Sequence, residues 1–468
     1  MVASQVLRGR VCRVLVPSGV LGSGCPEEAM SRGERLSPDC IAVDGGSTDS
    51  GPHYLGAGRS KMTRPATKRD LRQLMLARDR LGVPLLVGSC GTSGTDAGVD
   101  WMAEIAAEIA AEEGLTARVA LVYSELSAEA LRAPLAAGTI TPLAPAGPLD
   151  AATLDSCEHI VGLLGYEPLA KAIGEGADIV LSGRTTDTAV LAAVPLMRGL
   201  PAGPSWHAAK TAECGGLCTT HSRRGGVMLS IDDHGFDIEP LHIDNQCTPF
   251  SVSAHLLYEN ADPFRLKEPG VTLDATSATY RALDERCVRV EGSVAEPNGY
   301  TMKLEGAGPA GFRTMVFSAI ADPRVLARIG IWLANVELHL RGGIREVLGV
   351  ADDAYRLELR PYGWNALDPR PAPAPPPPLE VGLMTLVTAD TQELATEIAK
   401  YCNPVLLHFP LDPNDPLPSF AFPFSPAEVE LGAQYEFRLN HVIALDDPLT
   451  LARFRWLNLG AEAPDAAA

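Results

Sequence analysis

The sequence has no apolar run near the roughly 18 residues that a membrane span needs. Residues 1–13 show no apolar segment followed by a cleavage site of the signal-peptide kind. Both gaps lead to the expectation of a cytoplasmic protein with no membrane partner. Cysteine is sparse, 10 in 468 residues at irregular spacing, which excludes a disulfide scaffold and points to reduced thiols. Positive charge is short as well. The formal net charge of -19 leaves no basic face for a phosphate backbone, so nucleic acid is excluded as the main partner. A small anionic partner is compatible with this charge, because local arginines can overcome a global field. Internal repeats are missing. So are the two nucleotide signatures, G-x-G-x-x-G opening a helix with an acid about 20 residues on and a phosphate loop ending in Gly-Lys-Ser/Thr.

What the sequence does have is one loop chemistry used four times. VCRVLVPSGVLGSG runs from a strand pattern into Ser18, Gly19, Gly22 and Gly24. IAVDGGSTDSG ends in Asp44, Gly45, Gly46, Ser47, Thr48, Asp49 and Gly51; VPLLVGSCGTSGTDAGVD ends in Ser89, Gly91, Ser93, Gly94, Asp96 and Asp100. ADIVLSGRTTDTAV ends in Ser182, Gly183, Arg184, Thr185, Thr186 and Asp187. A single such loop reads as a plain turn. Four of them, separated by helical spacing over Lys68–Leu81 and Asp100–Glu113, read as strand, loop and helix in series, and hence as a parallel sheet. Loops leaving the carboxyl ends of parallel strands gather on one edge, where open α/β folds bind ligands.

With 468 residues, two or three domains are expected. The 46% hydrophobic and 21% charged content is that of a soluble globular protein. The expected fold class is α/β: an N-terminal parallel, Rossmann-like, doubly wound sheet, then an α+β domain and a small C-terminal module. The sheet domain covers 1–205 and includes ARVALVYSEL and HIVGLLGYEP as further strands. The α+β domain covers 206–368, with strand candidates CVRVEGSV, YTMKLEGA, RTMVFSAI and AYRLELRPYG and a helix over Pro323–Gly342. A proline-rich spacer, 369–380, follows; then an α+β module, 381–460, and a disordered tail, 461–468.

Several constellations carry chemistry, each beside a plainer reading. Asp44 and Asp49 stand among small neighbours that let a ligand approach the backbone. Asp96 is free for chemistry, whereas Asp100 is expected to open its helix as a cap or first-turn acid. Arg184 is either a fork for a carboxylate or phosphate or half of a surface salt bridge. Asp187 starts a helix that Thr185 or Thr186 caps. CGGLCTTH offers Cys214, Cys218 and His221 as zinc ligands, or forms a glycine turn between packed cysteines. His255 and Glu259, four apart on an expected helix, are an acid/base pair or a histidine satisfied by nearby backbone. Cys90 is a nucleophile or a packed thiol.

Taken together, AVDGGSTDSGPHYLGAG, KRDL, VGSCGTSGTDAGVDW, ADIVLSGRTTDTAV, SVSAHLLYENADPF with EPG, and YEFRLNHVIALDDP resemble the acyclic terpene utilisation (AtuA-like) family, from about Val14 to Arg455. The resemblance implies a place in the degradation of branched acyclic terpenoids through CoA thioesters. It puts the family's glycine and aspartate motifs on Asp44, Gly45, Gly46, Ser47, Asp49, Gly94, Asp96, Gly183, Arg184 and Asp187. His53 departs from the aromatic residue expected before Tyr54. Residues 434–455 also resemble a small companion protein, which implies a fused module.

The expected function is acid/base elimination, hydration or isomerisation of a branched or terpenoid-derived acid or its acyl thioester, as a hydro-lyase or isomerase. Asp49, Asp96 and Asp187 are the catalytic candidates, Asp96 as the protonated acid and Asp187 as the ionised base beside Arg184. Ser18, Gly19, Asp44, Gly45, Gly46, Ser47, Ser93, Gly94, Gly183, Arg184 and His255 are the binding candidates. One alternative is a hydrolase with carboxylate- or metal-activated water; another is a non-catalytic ligand-binding or partner subunit. The sequence implies no cofactor, leaves a divalent metal open, and suits a homo-oligomer with a small anionic substrate.

Overall fold

The computed structural model describes residues 10–258, 260, 262–367, 377–418 and 420–460. Most of the expected proline spacer, the expected tail at 461–468 and Glu259 lie outside these residues. The chain forms two compact units, one of residues 1–308 with 437–468 and one of residues 309–436.

The first unit is built on strands β1 (Cys12–Val16), β2 (Cys40–Asp44), β3 (Leu85–Gly88), β4 (Ala117–Tyr123), β5 (Ile140–Pro142), β6 (His159–Gly162), β7 (Ile179–Ser182), β8 (Val227–Ile231) and β9 (Gly235–Pro240). Five of them pair in parallel in the order β1-β2-β3-β7-β4. Every residue of β2, β3 and β7 is buried, as expected for a parallel sheet covered on both faces. On one face Ile41, Val43, Leu85 and Val87 pack against helices Glu27–Arg35, Arg64–Leu81 and Asp96–Glu113. On the other, Ala42, Leu86 and Val180 meet helices Glu167–Gly174, Asp187–Met197 and Ala202–Ala212.

The sheet does not stop where the sequence reading puts a boundary, near residue 205. β8 pairs antiparallel with β1, and β9 and strands Val288–Glu291 and Thr279–Ala282 extend that edge. Beyond β4, strand Arg453–Leu459 pairs antiparallel across all seven β4 residues. The result is a ten-stranded mixed sheet with a parallel centre. HIVGLLGYEP gives a strand, but β6 does not join the parallel set; it pairs antiparallel with 304–307, matching Val161 to Glu305. YTMKLEGA and RTMVFSAI are one strand, Thr301–Ile320.

Helix boundaries move for identifiable reasons. The helix expected from Lys68 starts at Arg64, with Thr63 as cap and a proline in the first turn. The helix expected from Asp100 starts at Asp96, because the Thr95 hydroxyl accepts from the Gly98 N–H at 3.2 Å. Asp100 instead accepts from the Tyr123 hydroxyl at 2.6 Å and from Arg455 at 2.7 Å. The helix expected over 323–342 is broken into Pro323–Ala327 and Ile329–Val347.

The second unit, taken by itself, has strand Val381–Ala389 between Tyr355–Tyr362 and residues 312–320 of the long strand. Helices Ile329–Val347 and Gln392–His408 cover it with a core around Trp332, Val336, Leu340 and Ile398. Among the described residues no helix is long and apolar enough to cross a membrane.

Candidate functional site

The loops after β2, β3 and β7 are stitched to one another by backbone. Gly45 N–H donates to Gly88 O at 2.8 Å, Ser89 N–H to Gly183 O at 3.0 Å, and Arg184 N–H to Gly94 O at 3.2 Å. Close approach explains the glycine at 94. Its φ is +68°, and a Cβ there would lie 2.1 Å from the Arg184 nitrogen. Ser89 and Thr92 hold φ values of +43° and +78° without being glycine. Such backbone strain persists only where its surroundings enforce it, and it concentrates at functional sites.

At this junction Arg184 is 5% exposed. Its Nη1 donates to Ser89 Oγ at 3.0 Å, to Thr185 O at 3.2 Å and to Asp187 Oδ1 at 3.3 Å. Its Nε donates to Glu305 Oε2 at 3.3 Å. Glu305 is equally buried, accepts from the Thr48 hydroxyl and from Lys303 Nζ, both at 2.8 Å, and arrives from the antiparallel strand beside β6. Burial alone would raise the Glu305 carboxyl, but Arg184 and Lys303 hold it below the usual range, so it stays ionised. Burial likewise works against the Arg184 cation, and Glu305, Asp187 and Asp44 more than offset it. Arg184 is therefore not a free fork at the surface; most of its donors are committed.

Asp44, the last residue of β2, is buried and accepts from Gly46 N–H at 2.8 Å through Oδ2. Burial and then the charge of Asp187 push its carboxyl well up, against smaller pulls from Arg184, Gly46 and Ser89. Asp187 opens its helix, capped by Thr186 through Ala189 N–H at 3.2 Å. Burial raises the Asp187 carboxyl, Arg184 lowers it and the Asp49 charge raises it, with a net upward shift. This runs against the expected assignment, because desolvation outweighs the arginine and the Asp187 carboxyl is pushed up rather than held low.

Asp187 faces a cavity of about 700 Å³, within the range usual for small-ligand sites. Its walls carry Asp49, Asp187, Glu213 and Glu268 against Arg184, Lys210, Lys267 and Lys303. Ser47 Oγ donates to Asp49 Oδ2 at 2.7 Å and also caps the short turn that presents Asp49. Burial pushes up both Glu213 and Glu268. Lys210 stays an ammonium because Glu213, 2.5 Å away, offsets its burial. The sequence reading missed Thr48 as the hydrogen-bond donor to Glu305, and also Lys210, Glu213, Glu268, Lys303 and Glu305 as site residues.

Ser18 and Gly19, after β1, lie against the turn that follows helix Ala202–Ala212. A Cβ on Gly19 would meet Cys214 O at 2.6 Å. His255 is buried on the short turn His255–Leu257 rather than on a helix, with its ring stacked on Tyr258. Ligand atoms of Glu213, Cys214 and His255 all lie within 4.8 Å of one another. The trio proposed from CGGLCTTH is not assembled as such: Cys218 is buried on Gly215 O, and His221 is exposed at the surface. Ser93 is buried near Tyr54 O, and Gly46 packs on Thr92. Burial raises the Cys90 thiol strongly, which makes it a packed thiol and not a nucleophile.

Asp96 is placed elsewhere. Arg453 Nη2 donates to both its oxygens, at 2.8 and 2.6 Å, and the pair lines a second cavity with Glu125, Ser127 and Glu158. In the same region His159 Nδ1 and Glu125 Oε1 are 2.6 Å apart. The Glu125 bond raises the His159 pKa; burial works against the Glu125 charge, yet His159 and the Asp96 N–H hold Glu125 low. The histidine's contribution to stability is full below its ordinary value and is lost as pH rises through the raised one. The carboxylate's is full above its ordinary value and is lost as pH falls through the lowered one. The pair should thus stabilise most between about pH 4.5 and 6.5. Unfolding of wild type and His159→Gln across pH should show their difference peaking there; a difference constant with pH would refute the pairing.

The fold and the site define a mixed α/β protein in which parallel strand ends deliver Asp49, Arg184 and Asp187 to a cavity of small-molecule size whose other charged residues come from a helix end and antiparallel strands. The chain matches the family model of the acyclic terpene utilisation family protein AtuA over residues 69–198 and 239–411, more than half its length, and belongs to that family. The resemblance read from the motifs is thereby shown. No curated protein and no solved structure matches the chain.

Proposed function

We propose that this cavity carries out general acid/base chemistry on a small carboxylate or its acyl thioester, as an elimination, hydration or isomerisation within acyclic terpene utilisation. The observation that supports this most is the lining itself, four carboxylates interleaved with four cations. Three of those carboxyls, Asp187, Glu213 and Glu268, are pushed toward holding a proton. With any of them protonated the lining carries net positive charge and attracts an anion.

Lys210, Lys267 and Lys303 would hold the anionic group of the substrate, while Arg184 fixes Asp187 and Glu305 in place. Asp187 then serves as acid. Asp49, exposed across the cavity and close enough for its charge to raise Asp187, serves as base. An opposed pair of this kind suits removal of one proton and delivery of another. The family name supplies the substrate class; the site supplies the chemistry.

The test is incubation of the purified protein with a panel of branched hydroxy acids, enoic acids and their acyl thioesters in deuterated water. Gain or loss of water, or deuterium incorporation next to the carbonyl, is the expected result. Cleavage of the thioester alone would replace this reading by a hydrolytic one. Binding without turnover would make the protein a ligand-binding subunit.

A further inference from the structure

We propose that Glu213, Cys214 and His255 form a binding site for a zinc-like divalent ion in the wall of the cavity. Their donor atoms, one oxygen, one sulfur and one nitrogen, lie within 4.8 Å of one another, close enough for a single ion to touch all three. A mixed carboxylate, thiolate and imidazole set selects borderline transition ions over magnesium or calcium, which prefer oxygen alone.

An independent observation points the same way. His255 is 6% exposed, and its Nε2 is buried with no hydrogen-bond partner among the described residues. Leaving a buried imidazole nitrogen unsatisfied is costly unless something coordinates it. The ring is stacked on Tyr258, which fixes its plane.

Lys210 holds one Glu213 oxygen at 2.5 Å, leaving the other for the ion. The backbone is also set: Gly19 packs on Cys214 O so closely that no side chain fits between them. Glu213 lines the cavity, so an ion held by three protein donors keeps a fourth position for water or ligand, as catalytic zinc sites do. The site stands or falls separately from the acid/base reading.

The experiment strips the full-length protein with a chelator and titrates it with Co2+. The expected result is one equivalent bound, with a near-ultraviolet thiolate-to-cobalt band and the visible bands of a tetrahedral ion, both displaced by Zn2+. Cys214→Ser should abolish the thiolate band, while Cys157→Ser, at a half-buried cysteine outside the trio, should keep it. His255→Gln should keep the band but weaken affinity by at least the roughly 10- to 100-fold that loss of an outer-shell partner costs, which answers the question even if the serine variant fails to fold. Absence of Co2+ binding by the folded wild type, or a band that survives in Cys214→Ser, or an affinity unchanged in His255→Gln, would overturn the site.

Discussion

Asp187→Asn is expected to lower turnover by about 100- to 10,000-fold, the span that loss of a positioned acid usually costs. The amide keeps the carboxyl's shape, and Thr186 still caps the helix, so folding should change little. The informative readout is the pH profile. In the wild type, activity should fall on the alkaline side as Asp187 gives up the proton that burial helps it keep. The asparagine variant should lack that limb in whatever activity remains, and Asp49→Asn should also lower turnover. Asp96→Asn, at a residue tied to Arg453 in the other cavity, should keep the wild-type profile. Full activity in Asp187→Asn would remove the acid assignment; a collapse in Asp96→Asn would return it to the residue first expected.

Gly94→Ala is expected to cost roughly 3–4 kcal/mol of stability, the sum of a left-handed backbone penalty and an overpacking penalty. The added methyl would lie 2.1 Å from Arg184 N, 2.5 Å from Arg184 Cα and 2.6 Å from Gly183 C, all backbone atoms that cannot rotate away. Gly82 provides the control. It has nearly the same φ, +65°, but nothing within 4 Å of where a Cβ would stand. Gly82→Ala should therefore cost only about 1 kcal/mol. Urea unfolding of the two variants separates backbone strain from close approach; equal losses would mean that the contact with Arg184 carries no energy.

The loops at 44–49, 88–94 and 182–187 were legible because each follows an apolar run and each repeats the same small and acidic residues. Parallel topology then places them on one edge without any knowledge of distance. Glu305 and Lys303 were not legible for the opposite reason. They sit on a strand whose neighbours in sequence belong to another stretch of grammar, and only the antiparallel match of Val161 to Glu305 carries them to the site. The one local sign was Lys-x-Glu inside the otherwise apolar YTMKLEGA. Lys210 and Glu213 are hidden by a helix end, where charged residues are commonplace. Asp96 misleads because it shares a loop with Gly94; the chain turns into a helix at Thr95, and two residues suffice to point the carboxylate into a different cavity. Cys214 was picked out by its cysteine neighbour, yet its companions come from Glu213 and from His255, some forty residues away, a grouping that no spacing rule describes.

The strand Arg453–Leu459 that pairs with β4 sets a schedule for synthesis. Until those residues leave the ribosome, β4 has parallel β7 on one side and a row of unsatisfied amides and carbonyls on the other. All of residues 309–436, a compact unit in its own right, must be translated during that interval. From the end of β7 at Ser182 to Arg453 is about 270 residues, so at elongation rates of about 5–20 residues per second that wait lasts on the order of tens of seconds. The nascent first unit is then a template for any passing strand, and a chaperone that shields the β4 edge over that period should raise the yield of native chain more than one that acts after release.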